Sequence, residues 1–271
     1  MYDPLPIGGI AVALMTGTVA LLDVPVDGPL LGAAFCGTAL VYLADRTLGL
    51  SPEDRHNQPR RVAWVRAHGA WLRAEGIALG VGLLATVPLL EVKTAVAASG
   101  LGGVAALHVL TGVGRHRGGR GLDPVTVSLV WVGGAVLLPV VEAGEPVLSD
   151  GVLALAVYRM LLILPNVLVA DWADREGDAA VGAGTWAVGW SRRGVQNGAT
   201  GLLALAVAGA AGTVGVGAGP ALLLLDALGG LLLMGGIWML RPDRSPLHRL
   251  ALDLVVAWPI VPWLVMVGSS G

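Results

Sequence analysis

The sequence predicts an all-α, polytopic membrane protein built as a bundle of nine transmembrane helices, and three observations carry that expectation. First, 55% of its 271 residues are hydrophobic and only 13% are charged, against roughly 45–50% and about 25% in soluble domains. The mean hydropathy is +0.75, and a water-facing surface cannot be assembled from such a composition. Second, the apolar residues fall in runs long enough to cross a bilayer. Third, the charges between the runs sort by side.

A crossing needs about 17 to 25 mostly apolar residues. Taken in chain order, such runs lie near 7–23, 29–46, 74–91, 94–112, 125–142, 151–170, 195–215, 219–240 and 250–268. The first, in MYDPLPIGGIAVALM, lacks the basic start of a leader peptide and carries Asp3, so it is expected to be a retained span. The second ends in VYLADR, and a basic stretch closing at Arg73 precedes the third. Only a short gap around Lys93 separates the third from the fourth, and GVGRHRGGRG separates the fourth from the fifth. The sixth runs into an acidic segment, the seventh and eighth are divided at Gly215 to Gly219, and the ninth closes the chain.

Continuously apolar runs exclude barrel strands, which alternate over about ten residues. Residues 1–271 are therefore read as a single transmembrane domain. Glycine is abundant, with 41 residues, and the spacing of Gly209 and Gly212, and of Gly229, Gly230, Gly235 and Gly236, is that of close helix contacts. A coding bias toward Gly and Ala would give the same abundance. The lone Cys36 excludes an internal disulfide. The formal net charge of -2 carries no indication of nucleic acid, and none is expected as a partner.

Loop charge orients the bundle. Of the 17 basic residues, all but Lys93 and Arg159 fall in or beside the loops after spans two, four, six and eight. The opposite loops carry Asp23, Asp27, Glu91, Glu142, Glu145 and Asp150. By the positive-inside rule the even-numbered spans end in the cytoplasm, with the N-terminus inside and the C-terminus outside. The expected location is the cytoplasmic membrane, with the acidic segment on its cytoplasmic face.

Two cytoplasmic segments look alike. Span two delivers Ala44-Asp45-Arg46 to the boundary and span six delivers Ala173-Asp174-Arg175, each followed by further acids. The likeness predicts a pseudo-repeat of helices one to four and five to eight, plus a ninth. Asp171, Asp174 and Asp178 are spaced by three and four, so on a continuing helix they share one face. Hard carboxylate oxygens suit Mg²⁺, which binds through a few carboxylates together with water and phosphate. Carboxylates mixed with arginines then read as a metal-bridged diphosphate site, in which arginine forks take the remaining phosphate oxygens. A solvated acidic loop at a helix end is the bland alternative.

The segment DWADREGDAAVGAGTWAV resembles the second aspartate motif of the UbiA superfamily of intramembrane prenyltransferases, DxxDxxGD followed by GxxT. Asp171, Asp174, Gly177, Asp178, Gly182 and Thr185 match it, with Gly184 as an extra glycine. Nine helices, acidic segments after the second and sixth, and a basic loop after the fourth extend the resemblance over nearly the whole chain. It implies a bundle around a central cavity open to the cytoplasmic side, and an enzyme that ionises a prenyl diphosphate held by Mg²⁺ between the two motifs. The allylic cation then passes to a lipophilic acceptor. Some relatives instead cyclise the cation to a terpene without an acceptor.

The first motif departs from the family pattern NDxxDxxxD. Val41, Tyr42 and Gly49 stand where ligands belong, and Asp45 alone survives, beside Arg46. Glu53 and Asp54 are candidates to fold back as replacements, and Asn57, Pro59 and Arg60 resemble the Asn-x-x-Arg-Pro region that follows this motif. Fewer ligands should weaken the metal site and its help to the departing diphosphate, commonly the largest catalytic term. An altered substrate, an altered reaction and lost activity are all open.

On this reading Asp45, Asp171, Asp174 and Asp178 are the catalytic metal ligands, with Asp174 a third ligand or a support for Arg175. Arg46, Asn57, Arg60, Arg115, Arg120, Asn166 and Arg175 contact the substrate. Asn166 has an interhelical hydrogen bond as its structural alternative. Arg159 and Asp226 lie at similar depth and are expected to neutralise each other, as intramembrane charges must. His108 near the end of span four is read first as a packing residue, Asp253 lies just inside span nine, and Tyr42 offers a ring face to a cation. Three readings follow: a prenyltransferase, a terpene cyclase of the same superfamily, and a non-catalytic membrane protein.

Overall fold

The structure, a computed structural model, describes residues 3–48, 52–112, 123–180, 182 and 185–269. Among the described residues the regular elements are helical, and besides short 3-10 and π turns they are α1 Leu5–Leu22, α2 Gly28–Leu48, α3 Pro52–Asn57, α4 Pro59–Ala67, α5 Gly69–Thr86, α6 Val92–Gly112, α7 Asp123–Val132, α8 Leu138–Glu142, α9 Asp150–Ala180, α10 Arg192–Gly215, α11 Leu222–Met239, α12 Pro246–Val256 and α13 Ile260–Ser269. Among the described residues eight segments are long and apolar enough to span a membrane, and the bent pair α12–α13 makes a ninth. The protein is an integral membrane protein, and each expected span has its counterpart.

Helix α1 is the axis of the bundle. It is apolar on every side, and Ile10, Leu14, Met15 and Val19 are almost fully buried, the pattern of a helix surrounded by others. Around it, α7, α8, α9, α10, α11 and α12 share the largest core, including Val136, Val140, Leu155, Leu203 and Leu233. A smaller cluster of Ala39, Leu43, Val65, Leu72 and Leu79 joins α2, α4 and α5. On the outside, Ile77, Val81 and Leu84 of α5 and Val96 and Leu107 of α6 are exposed. Such continuous apolar faces suit lipid rather than water.

Three departures from straight spans have local causes. The fifth span carries a π-helical turn at Gly133–Leu137, where the Leu138 N–H bonds five residues back to the Gly133 carbonyl. Pro139 follows at once and has no N–H to continue an ordinary ladder. The ninth span bends by 44° between α12 and α13, at the break occupied by Pro259. The sixth span does not stop near 170: α9 stays helical to Ala180, which puts Asp171, Asp174 and Asp178 on one continuous helix. Gly182, with φ +72°, lies just beyond this end, in the left-handed conformation that glycine adopts without penalty.

The glycine spacings divide. A Cβ on Gly229 would meet the ring of Trp258 at 2.7 Å, one on Gly230 the side chains of Leu162 and Val207 at 3.1 Å, and one on Gly236 would meet Leu252 at 2.9 Å. These three are contact glycines, whereas Gly209, Gly212 and Gly235 have open space beside them.

Candidate active site

An apolar cavity of about 510 Å³ lies between α1, α2, α5, α6 and α7, within the roughly 300–1,000 Å³ of small-molecule sites. Its wall on α2 is the stripe Ala34, Gly37, Thr38, Val41, Tyr42 and Asp45, the three-and-four spacing of one helix face. On α6 the facing stripe is Ala98, Gly102, Ala105 and His108. Small side chains on both stripes keep the helices in contact while leaving space between them. Asp45 and His108 stand at the C-terminal ends of these stripes, so the lining changes from apolar to ionisable there. Tyr42 and Trp131 line the same cavity with ring centroids 6.3 Å apart.

Arg46 is next to Asp45 and within electrostatic reach of Tyr42, Arg61 and Asp3. Asp3 at the N-terminus is therefore on the same side of the bundle as the first motif. Gly49 lies outside the described residues, as do Arg115 and Arg120 and the side chains of Glu53 and Asp54. Arg60 is exposed at the start of α4.

On α9 each motif aspartate has its own partner. Asp171 accepts a 3.3 Å hydrogen bond from Trp186 Nε1. Asp178, 7% exposed, accepts a 2.6 Å bond from Thr185 Oγ1, so the threonine of the GxxT element holds the last aspartate. Asp174 is paired with Arg249 of α12, at 2.8 Å from Nη2 and 3.0 Å from Nη1. Its partner was expected to be Arg175 or a metal. The ion pair ties the ninth span to α9 through one hydrogen bond, from Nη1 to Oδ2; Nη2 donates to the Ala173 carbonyl at 3.3 Å, and the buried Asp174 Oδ1 has no hydrogen-bond partner.

Arg175 has turned elsewhere: its guanidinium stacks 3.7 Å above the ring of Trp172 and bonds to Glu176 at 3.1 Å. Asn57 also differs from expectation. Its Nδ2 donates to the Asp174 carbonyl at 2.7 Å, and its Oδ1 accepts from the Gly177 N–H at 2.8 Å. Both ends of the amide are committed to the α9 backbone, clamping α3 onto the second motif.

The clamp explains the glycine of DxxDxxGD physically, because a Cβ at residue 177 would overlap the Asn57 amide. Gly177→Ala should destabilise the protein by about 1–3 kcal/mol, as overpacking does. Combining it with Asn57→Ala should recover part of that loss, since neighbouring substitutions are not additive. Thermal unfolding of the purified single and double variants checks this, and additive losses would refute the clamp.

Asn166 donates to Asp253 Oδ1 of α12 at 3.0 Å, the interhelical bond weighed for it. Asp253 itself lies within electrostatic reach of Tyr42. Sequence reasoning missed Arg249 and Trp186 as site residues: the first sits 75 positions from its partner, and the second resembles any interfacial tryptophan.

The donor set fits a hydrated hard cation. Asp45, Asp171 and Asp178 offer carboxylate oxygens from two helices, and among the described residues no group of three His, Cys, Asp or Glu side chains converges as a ready-made cage. Mg²⁺ rarely takes an all-protein cage and keeps water and phosphate in its shell.

Fold and site together define a class: a helical membrane bundle with an apolar cavity that ends at Asp45 and a second aspartate-bearing helix end on α9. Neither a protein-family model nor a curated protein matches the sequence. Solved structures do match in fold. A UbiA homologue from Archaeoglobus fulgidus bound to GPP and Mg²⁺ aligns with TM-score 0.69 at 14% identity, over 98% of this chain and 99% of that one. A UbiA homologue from Aeropyrum pernix K1 in its apo form aligns with TM-score 0.63 at 16% identity, over 95% and 98%. A digeranylgeranylglyceryl phosphate synthase aligns with TM-score 0.57 at 16% identity, over 97% and 96%. The chain thus has the fold of the UbiA homologues over nearly its full length.

Proposed function

We propose that this protein is an intramembrane prenyltransferase of the UbiA superfamily, using Mg²⁺ and a prenyl diphosphate and transferring the prenyl group to a lipophilic acceptor. The observation that carries the reading is an apolar, prenyl-sized cavity whose α2 wall ends in an aspartate. The stripe on α2 runs from the apolar cavity to Asp45, and α9 stays helical through Asp171 and Asp178 with the Asn57 clamp holding it. A prenyl chain belongs in the cavity and its diphosphate at the aspartates, on the cytoplasmic side by the loop charges.

Asp45, Asp171 and Asp178 are the residues that would hold Mg²⁺, and the ion would supply neutralisation of diphosphate charge. In the ionisation step the allylic C–O bond cleaves heterolytically and its electron pair leaves with pyrophosphate. The cation remains in a cavity whose apolar walls exclude water. The acceptor's nucleophilic atom then forms the new bond to carbon and a proton is lost.

A second reading, terpene cyclisation, draws on one specific observation. Tyr42 replaces a motif carboxylate and, with Trp131, puts aromatic rings on the cavity wall, where ring faces stabilise cations. Pyrophosphate release by the purified protein, with prenyl diphosphates of several lengths, with and without Mg²⁺ and a membrane lipid extract, tests both. Release that needs the extract supports transfer, and release without it, with a hydrocarbon product, supports cyclisation. Complete silence from folded protein would overturn both enzyme readings.

A further inference from the structure

A second pocket, a polar groove of about 520 Å³, lies on the flank of α9 and is lined by Trp172, Arg175, Arg192, Arg241, Asp243 and Arg244 among others. None of the motif aspartates lines it. Four guanidiniums face two carboxylates there, Asp243 and Glu176. Burial pushes the Asp243 carboxyl up, but the hydrogen bond and charge of Arg241, with Arg175 nearby, outweigh it and hold the group below its usual range. Asp243 therefore stays ionised at neutral pH, and the groove keeps a net positive charge.

The groove is built rather than incidental. Arg175 is fixed by stacking on Trp172, whose Nε1 donates to the Trp190 carbonyl at 3.0 Å. The loop bearing Arg241 and Arg244 is tied down by α12, because Arg249 Nε donates to the Pro242 carbonyl at 2.8 Å and His248 Nδ1 accepts from the Arg241 N–H at 3.0 Å. Arg192 is the first residue of α10, after the Ser191 cap. A cation is unfavourable at the positive end of a helix; Ser191 caps the Gly194 and Val195 N–H groups and the Arg192 guanidinium donates to the Leu240 carbonyl at 3.3 Å, which leaves the Arg192 and Arg193 N–H groups without an intrahelical acceptor. An anion in the groove would answer both. Arg244 is 72% exposed and reaches Asp243 only at 3.9 Å, so its fork is available.

The surroundings select the kind of anion. Val188, Trp190, Trp238 and Met239 are all exposed; Trp190 itself lines the groove, and Met239 precedes Arg241 by two residues. Amphipathic tryptophans at this boundary mark the headgroup zone. We infer that this groove binds the phosphate headgroup of an anionic phospholipid from the cytoplasmic leaflet, with the exposed apolar residues against its acyl chains. The inference does not depend on the chemistry proposed above.

The test uses the full-length protein in nanodiscs of phosphatidylcholine, with or without phosphatidylglycerol, in EDTA so that metal-bridged phosphate binding does not contribute. Native mass spectrometry of the released protein counts retained lipids, and thermal unfolding reads stabilisation. Retained phosphatidylglycerol and a higher Tm in its presence are expected. Occupancy should fall by roughly fivefold for each arginine removed, as near a charged lipid surface. The variants are Arg244→Gln alone, which disturbs little packing, and Arg192→Gln with Arg244→Gln. Equal retention of the two lipids, or unchanged retention in the double variant, would overturn the assignment. The same stabilisation from inorganic phosphate would overturn the lipid in favour of a soluble anion.

Discussion

Asp171→Asn and Asp178→Asn should each lower Mg²⁺-dependent pyrophosphate release by about 10²–10³-fold or more, the scale set by removing one electrostatic contributor from a preorganised site. Asparagine is the informative replacement. At residue 178 it keeps an oxygen for the 2.6 Å bond from Thr185, and at residue 171 one for the bond from Trp186. The fold is preserved while the charge is removed. Asp174→Asn should behave differently, because Asp174 is already paired with Arg249 and its loss loosens α12 from α9. The expected signature is a lower Tm with a smaller loss of turnover. Steady-state release assays with matched unfolding curves check all three, and unchanged turnover in Asp171→Asn and Asp178→Asn would remove this site from the account.

The spans were legible because crossing a bilayer is a one-dimensional requirement, a length of apolar chain, and a reader of sequence can measure it directly. The continuation of α9 past its apolar run was legible only conditionally, from the three-and-four spacing of its aspartates. What stayed hidden depends on packing between distant segments. Asn57 reaches α9 across 117 positions and Arg249 across 75, and periodicity carries no information about which helix end docks against which. Arg175 shows a subtler limit. Its position beside the aspartates suggested phosphate, yet the neighbouring Trp172 ring captures the guanidinium, a choice made by side-chain rotamers that spacing does not encode. The three departures in the first motif were plain in the sequence. For Val41 and Tyr42 the consequence is visible only in the structure, where they become part of the apolar wall that ends at Asp45.

Arg159→Leu should lower stability by about 3–5 kcal/mol, the loss that follows from stranding one member of a buried ion pair. Both side chains are fully buried. Arg159 forks Asp226 with bonds of 2.7 and 3.1 Å, and the Tyr158 hydroxyl donates a third at 2.7 Å. Equal depth in spans six and eight predicted this pairing, and the geometry supports a structural role, since the pair joins α9 to α11 and is not part of the cavity wall. Helix α1 meets both Pro259 and the pair at Gly17, where a Cβ would clash first with Pro259 and come within 2.8 Å of Arg159 Nη2. Removing only the arginine leaves a carboxylate in an apolar interior with one hydroxyl for company. Removing both charges, in Arg159→Leu with Asp226→Leu, should restore most of the loss, because apolar replacement of a whole buried pair is often neutral or better. Unfolding of the wild type, both single variants and the double variant closes the cycle. A coupling near zero would show that the pair contributes nothing to holding α9 against α11, whereas a rescued double variant that retains turnover would place these charges in the scaffold and outside the chemistry.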